Sequence, residues 1–372
     1  MGEFSSMESL ERLVFAKAYS GKRVLITGHT GFKGSWLTQW LLDLGAVVCG
    51  YSIDIPTKPS HFELLNLDKK IDHQLGDVRD FSNLKKTFDR FKPEIVFHLA
   101  AQPLVRASYD DPRGTFETNV MGTVNLFECV RLSQTVVATV SIATDKCYEN
   151  LETGQAYQED DKLGGADPYS ASKACAEIAF TAYQKSFFSR NKMRVGTARA
   201  GNVIGGSDWA ADRIIPDCVR AWTKGEAVVT RSPKAIRPWQ HVLEPLGGYL
   251  LLGAKLLNKD YLVIGESFNF GPANESSRTV EDLLAELTIN WPAAKWTVDE
   301  SAVGNKKESK VLKLSCEKAS KLLNWRAQMK FEEAVSLTSE WYRQFNLDSK
   351  KAADLTRSQI QSFQERLLRS LS

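Results

Sequence analysis

Lys22-Arg23-Val24-Leu25-Ile26-Thr27-Gly28-His29-Thr30-Gly31-Phe32-Lys33-Gly34 is the stretch on which the fold reading turns. Its first half is a short apolar strand and its second half a glycine turn. Trp36, Leu37, Trp40, Leu41 and Leu44 then recur at helical spacing until Gly45 ends the helix. Strand, glycine turn and helix in that order make a glycine motif informative. Glycines permit the tight turn and let backbone approach a pyrophosphate at the helix N-terminus. The spacing is GxxGxxG rather than GxGxxG, and it is not a Walker loop, since Lys33 precedes Gly34 instead of following a GxxxxG. Gly28, Thr30, Gly31, Phe32, Lys33 and Gly34 are the predicted dinucleotide contacts.

Residues 46–51 read as a second strand, followed by Ser52-Ile53-Asp54. An acid there would hold the adenosine ribose and favour NAD. Asp54 comes slightly late and Lys33 is close by, so the residues leave NAD and NADP both open. A third strand over 71–75 runs into Gly76-Asp77-Val78-Arg79-Asp80. Asp77, with Val78 beside it, can accept from an adenine amine. Asp80 fits equally as the N-cap of a helix from about Ser82. The fourth strand, 94–99, closes with Leu99 and runs into Ala100-Ala101, small residues that let a cofactor approach. His98 alternates with apolar neighbours and reads as a core histidine. The helix after Asp111-Pro112 carries Val120, Val124, Phe127 and Val130 as an apolar stripe, for the core or a subunit contact.

Residues 136–142 are a buried strand running into Ala143-Thr144-Asp145-Lys146-Cys147-Tyr148. Such a strand delivers polar side chains to the carboxyl edge of a parallel sheet, where ligands bind. Consecutive strand residues point to opposite faces. Asp145 and Lys146 therefore serve one site only if the strand ends near Thr144 and the chain turns. Asp167-Pro168 is a helix start, and Tyr169 and Lys173 share one face of that helix. An ammonium beside a phenol favours the phenolate. The pair is expected to lower the Tyr169 pKa and to accept the proton of an alcohol.

After a strand over 194–198 comes Arg199-Ala200-Gly201-Asn202-Val203-Ile204-Gly205-Gly206, and the α/β alternation breaks. Asp208, Trp209, Arg213, Arg231, Arg237 and Trp239 enrich this region in groups that suit phosphates, sugars or bases. Ser267-Phe268-Asn269-Phe270-Gly271 looks like one more strand of the sheet. Beyond Ala352, Ile360, Phe363, Leu367 and Leu371 share a helical face that packs on its own subunit or a neighbour.

The 372 residues suit one large domain or two closely joined ones, and 43% hydrophobic content supports a core. A formal charge of +3 does not suggest nucleic acid, and no apolar run approaches a membrane span. The first residues carry acid and lack the apolar segment of a secretory signal. Six scattered cysteines point to reduced thiols in cytoplasm, and five histidines without ligand spacing argue against a metal.

Together the glycine turn, the Thr-Asp-Lys strand end and the Tyr-x-x-x-Lys helix resemble the extended short-chain dehydrogenase/reductase family, from about Lys22 to Phe345. Within it the chain is similar to the nucleotide-sugar dehydratases that act on CDP-glucose. The strings are GHTGFKGSWL from Gly28, PTKPS at 56–60, HLAAQPLVR from His98, ATDKCYEN from Ala143, RAGNVIGGSDWAADRIIPD from Arg199 and AIRPWQHVLEPLGGYL from Ala235. Lys146 stands where related dTDP-glucose dehydratases carry Glu. Lys307-Glu308 and Leu312-Lys313-Leu314-Ser315 depart from the usual His-Glu and Leu-Lys-Leu-Asp.

The resemblance implies a Rossmann-type doubly wound parallel α/β sheet with a smaller mixed α/β C-terminal substrate domain. The cofactor domain would span 21–200 with segments returning at about 241–271, and the nucleotide-sugar domain 201–240 and 272–345. A helical extension would cover 346–372. It also implies NAD as cofactor, CDP-glucose as substrate and a homodimer or homotetramer. Thr144, Asp145, Lys146, Tyr169 and Lys173 would be catalytic, with Tyr169 and Lys173 also at the cofactor. Asp145 and Lys146 would divide acid and base work as a pair. Gln102, Asn202, Arg213 and Arg237 would hold substrate. A 4-epimerase on this scaffold would need no acid–base couple, and a cofactor-sensing regulator often lacks the Tyr or Lys present here.

Overall fold

The computed structural model of the protein describes residues 15, 17–189, 193–272, 278–291, 294–299 and 311–371. Lys307 and Glu308 lie outside them. The main sheet is built from β1 (Arg23–Thr27), β2 (Val47–Ser52), β3 (Asp72–Leu75), β4 (Ile95–His98), β5 (Ala138–Thr144) and β6 (Arg194–Ala200). Four short strands follow: β7 (Val203–Ile204), β8 (Val228–Thr230), β9 (Ile236–Arg237) and β10 (Gln240–His241). The chain then returns to the sheet as β11 (Ser267–Phe270). The seven main strands run in the order β11-β6-β5-β4-β1-β2-β3, every pair parallel. The order reverses between β1 and β4, which opens a crevice at the carboxyl edge.

The helices are α1 (Phe32–Asp43), α2 (Phe81–Phe91), α3 (Val105–Asp110), α4 (Gly122–Leu132), α5 (Pro168–Tyr183), α6 (Ile214–Thr223) and α7 (Leu243–Leu257). After them come β12 (Arg278–Thr279), α8 (Val280–Ile289), β13 (Trp296–Val298) and two long helices, α9 (Phe331–Leu347) and α10 (Ala352–Ser370). Helices cover both faces of the sheet. Val24 and Ile26 of β1 enter one core with Trp36 and Trp40 of α1, while Leu25 enters the other with Phe127 and Val130 of α4. This is the alternation of a strand buried on both sides. Outside the sheet, β10 pairs with β7 and β13 with β8 in parallel, and β12 with β9 antiparallel.

Local signals are realised closely. Asp80 caps α2, its carboxylate accepting from Asn83 N at 3.0 Å. Asp167 caps α5 through Ser170 N at 2.9 Å, with Pro168 in the first turn. His98 is a core histidine: Nδ1 lies 2.7 Å from Thr27 Oγ1 and Nε2 3.1 Å from Thr123 Oγ1. One expectation changes. The helix after Pro112 is interrupted by a π turn at Glu117–Met121, which shifts the phase, so Phe127 and Val130 are buried but Val120 and Val124 only partly.

The last helix folds back on the first. Ile360, Phe363, Leu367 and Leu371 are buried. Phe363 meets Trp40 edge-on with ring centroids 5.8 Å apart, and Trp40 Nε1 donates to Gln364 Oε1 at 2.7 Å. Phe363→Ala is expected to cost about 3–5 kcal/mol, read as a lower denaturation midpoint.

Glu244, in the first turn of α7, is buried and accepts from Gln328 N at 2.8 Å and Met329 N at 2.7 Å. Burial pushes its carboxyl up to about 8. An acid with a raised folded pKa leaves stability untouched below its unfolded value of about 4.3 and loses it progressively as pH rises toward 8. Glu244→Gln keeps an acceptor oxygen and cannot ionise. Thermal melts are expected to show its advantage over the wild type growing from pH 5 to pH 8, and an advantage independent of pH would refute the buried proton.

Candidate active site

β5 ends at Thr144, and a single tight turn, Asp145–Cys147, follows at once. The condition set by the sequence is met: the chain leaves the strand before its side chains can alternate away. Thr144 Oγ1 donates to Asp145 Oδ1 at 3.0 Å and accepts from Lys146 N at 3.4 Å. Asp145 is 2% exposed. Burial raises its carboxyl pKa, against the opposing pull of Lys146, Thr144, Arg237 and Lys33. Lys146 is half-buried.

Tyr169 and Lys173 lie on one face of α5, both buried. Tyr169 N donates to Ser108 Oγ at 3.2 Å, which ties the start of α5 to α3. The expected lowering of the phenol pKa is not seen. Lys173 Nζ donates to the Ile142 carbonyl of β5 at 2.9 Å. Burial pushes the phenol up to about 12, with a Thr144 hydrogen bond and Arg213 pulling the other way. Burial also brings Lys173 down to about 8.

The glycine turn is a cradle that a side chain would fill. Gly28 has φ +76°, and a Cβ there would lie 2.7 Å from Ala100 N and 2.8 Å from Leu99 C. At Gly34 it would lie 2.1 Å from Gly28 O. Gly31 caps α1 in an extended conformation, with no side-chain cap and no acid in the first turn. That leaves the first-turn N–H groups suited to an anion. Thr30 Oγ1 donates to the Asp54 carbonyl at 2.6 Å, joining the two cofactor loops. The Asp77 carboxylate accepts from Arg79 N and Nε, each at 2.8 Å. Burial would raise it, but these bonds hold it below the usual range.

Lys33 is placed otherwise than beside Asp54. Its Nζ is 3.3 Å from Tyr249 Oη of α7, and the charges acting on it are those of Arg213, Asp145 and Lys173. Burial brings it down to about 7. The side chain extends from the glycine turn toward the β5 end of the crevice.

Of the four predicted substrate residues, Gln102 is engaged by its own loop and by the helical turn Pro112–Phe116. Its Nε2 donates to Leu104 O at 3.1 Å and Thr115 Oγ1 at 3.0 Å, and its Oε1 accepts from Leu104 N at 2.6 Å. Arg213 Nη1 reaches Asp208 at 2.8 Å. Arg237 Nη1 donates to Ile236 O at 3.0 Å, and Asn202 O accepts from Gln240 N at 3.0 Å. All four line one cleft of about 1620 Å³. The same cleft takes in Thr144, Asp145, Lys146, Tyr169, Lys173, Gly28, Thr30, Gly31, Phe32, Lys33, Gly34, Asp54, Asp77, Val78, Leu99, Ala100 and Ala101. Among the described residues, no group of three or more His, Cys, Asp and Glu side chains is placed to hold a metal ion.

Behind the site lies a buried ion pair that sequence reasoning missed. Arg199 of β6 is paired with Glu177 of α5 at 2.7 Å, both nearly inaccessible. Arg199 Nη1 also donates to Tyr148 Oη at 2.8 Å and Glu159 O at 2.9 Å. The pair thus joins the Tyr169 helix to the segment that follows Lys146. An arginine at the end of a buried strand was its signal, because a charge taken out of water requires a partner. Glu177→Gln strands the guanidinium and is expected to lower stability by about 3–5 kcal/mol in chemical denaturation.

Comparison with known proteins agrees with this geometry. A family profile described as GDP-mannose 4,6 dehydratase matches residues 25–338. A CDP-glucose 4,6-dehydratase of Salmonella typhimurium strain LT2 is 45% identical over 331 residues, covering 87% of this chain and 91% of that protein. Among solved structures, the epimerase Mth375 from Methanothermobacter thermautotrophicus superposes with a TM-score of 0.76 at 24% identity, covering 94% of this chain and 98% of its own. DesIV, a dTDP-glucose 4,6-dehydratase from Streptomyces venezuelae with NAD and TYD bound, gives 0.73 at 23% identity, covering 87% and 97%. At these identities the two structures speak for the fold. The extent of the profile match and the 45% relative carry the assignment further: the chain belongs to the GDP-mannose 4,6 dehydratase family, within the extended short-chain dehydrogenases/reductases.

Proposed function

We propose that the protein dehydrates CDP-glucose to CDP-4-keto-6-deoxyglucose. The observation that carries this reading is the meeting, in one cleft, of a glycine cradle, a buried phenol with a hydroxyl neighbour, and an acid–amine couple on a tight turn. The identity to a CDP-glucose 4,6-dehydratase supplies the base.

Gly28, Gly31 and Gly34, with the open N-terminus of α1, would hold the pyrophosphate of NAD, and Asp54 its adenosine ribose. Bound there, NAD supplies an acceptor for hydrogen from C4 of the sugar, a donor back to C6, and a positive ring beside the phenol. Tyr169 takes the proton of the 4-hydroxyl, helped by Thr144. Lys173, anchored on the Ile142 carbonyl with its ammonium one turn along α5 from Tyr169, would hold the ribose side of the cofactor. A ketone at C4 acidifies the hydrogen on C5. Asp145 and Lys146 then remove that proton and protonate the departing 6-hydroxyl. Burial raises the Asp145 pKa, which favours it as the acid, but the two groups are coupled and the roles belong to the pair. Asn202, Arg213 and Arg237 would hold the nucleotide and its diphosphate. Residues 201–240 and 272–345 form the sugar-nucleotide half in this reading. Assembly as a dimer or tetramer in the cytoplasm belongs to the same proposal.

Incubation with a panel of nucleoside-diphosphate glucoses, read by mass spectrometry, is expected to show loss of water from CDP-glucose. A product of unchanged mass would instead favour a 4-epimerase. Deuterium placed on C4 is expected to emerge on C6, and its wash-out during turnover would refute internal return. Tyr169→Phe is expected to bind cofactor normally and to lose about 10²–10⁴-fold in turnover. Asp145→Asn should still oxidise C4, seen as a rise in absorbance of reduced cofactor, while failing to release water.

A further inference from the structure

Two residues beyond Lys146 the chain enters a buried network that the reaction scheme leaves unused. Tyr148 is 1% exposed, and its hydroxyl donates to Asn269 Oδ1 of β11 at 2.7 Å and accepts from Arg199 Nη1 at 2.8 Å. Burial raises its pKa, so the donor is kept. Asn269 is fully buried, and its Nδ2 donates to Tyr157 O at 3.0 Å. The ring of Tyr157 lies flat on that of Tyr148, with centroids 5.1 Å apart and planes 12° from parallel. Tyr157 in turn pairs by its backbone with residues 312–315: its N–H donates to Lys313 O at 3.0 Å, and its carbonyl accepts from Ser315 N at 2.8 Å. Leu314 packs in one apolar cluster with Cys147, Tyr148 and Ala174, while Leu312 lines the cleft. Adjoining groups therefore run from the acid–amine turn to residues 312–315, which the reading above puts in the sugar-nucleotide half.

We infer that Tyr148, Asn269 and Tyr157 are positioning residues for the loss of water: they fix the turn that carries Asp145 and Lys146 against residues 312–315. The inference rests on the dehydratase reading above and deepens it. Thr144 holds the turn from one end, through the Asp145 carboxylate and the Lys146 N–H. Tyr148 holds it from the other, one residue past its close. Lys146 lies between these anchors and is itself only half-buried. Removing the C5 proton while the 6-hydroxyl leaves requires both groups of the pair in place at once, and a displacement of about 1 Å can cost about 10²-fold. The groups that take hydrogen from C4 are held otherwise. Lys173 is anchored on Ile142 O, and the Tyr169 end of α5 on Ser108. Loosening the network therefore slows elimination and leaves oxidation of C4 running.

Turnover of the full chain with CDP-glucose tests this in Tyr148→Phe, Asn269→Leu and Tyr157→Leu. Leu256→Ala, a core truncation in α7 outside the cleft, serves as the control. The three network variants are expected to lose about 10–100-fold in kcat with KM nearly unchanged. Reduced cofactor should accumulate in the steady state, seen by its absorbance, because C4 is still oxidised while water leaves slowly. Leu256→Ala is expected to melt earlier with reduced cofactor at the wild-type level. Tyr148→Phe keeps the ring stack and decides the case if Asn269→Leu does not fold. Hydrogen exchange reads positioning without turnover: peptides covering 145–151 should exchange faster in the network variants, and those covering 168–183 as in the wild type. Unchanged kcat, a fall in kcat without reduced cofactor, or unchanged exchange over 145–151 would each overturn the inference. Release of water from CDP-glucose by the wild type is followed separately. If water is lost and the variants behave as wild type, the positioning fails and the activity stands. If exchange responds as stated and no water is lost, the activity fails and the clamp on the turn stands.

Discussion

Burial of ionisable side chains at the carboxyl edge of β5 is the constraint from which the rest of the cleft follows. A group taken out of water is driven toward its neutral form unless charge of the opposite sign is held against it. Four groups here feel that drive. Asp145 is raised, Tyr169 reaches about 12, Lys173 falls to about 8 and Lys33 to about 7. Two acids hold their protons more tightly and two bases hold theirs less tightly. The site is thus biased toward uncharged partners, among which a proton can move without a large rearrangement of charge. The turn after Thr144 makes this possible, because it keeps the acid inside the cleft instead of letting the strand carry it to the other face.

Fixed charge is kept behind the site. Arg199 and Glu177 neutralise each other between β6 and α5, with Thr197, Ser267 and Tyr148 supplying further hydrogen bonds. A buried pair of this kind contributes little net stability, but it specifies how the surrounding elements meet. Here it holds the helix bearing the phenol against the segment leaving the acid–amine turn. The cleft therefore combines a rigid charged backing with a reactive face of softened charge.

Much of this was legible in the chain because it is local. The glycine turn, the Thr144 strand end and the Asp167-Pro168 helix start are each written in a few adjacent residues, and period 3.6 against period 2 separated helices from strands. The dimension that was not legible is side-chain direction over long distance. Lys33 sits in the glycine turn and reads as a neighbour of Asp54, yet it reaches Tyr249, a residue more than two hundred positions later. Gln102 was expected to hold substrate, yet Leu104 in its own loop engages both its amide nitrogen and its oxygen. The Tyr169–Lys173 spacing placed both groups on one face correctly but misjudged the sign of the phenol shift. Helical geometry is set by spacing, whereas desolvation is set by everything packed around it.

The placement of α10 has a consequence for leverage. It supplies Phe363 and Gln364 to Trp40, and Trp40 belongs to the helix whose amino end forms the glycine cradle. None of its own residues lines the cleft. A disturbance of α10 therefore reaches the dinucleotide seat through a single indole, at the far end of the helix from the turn it supports.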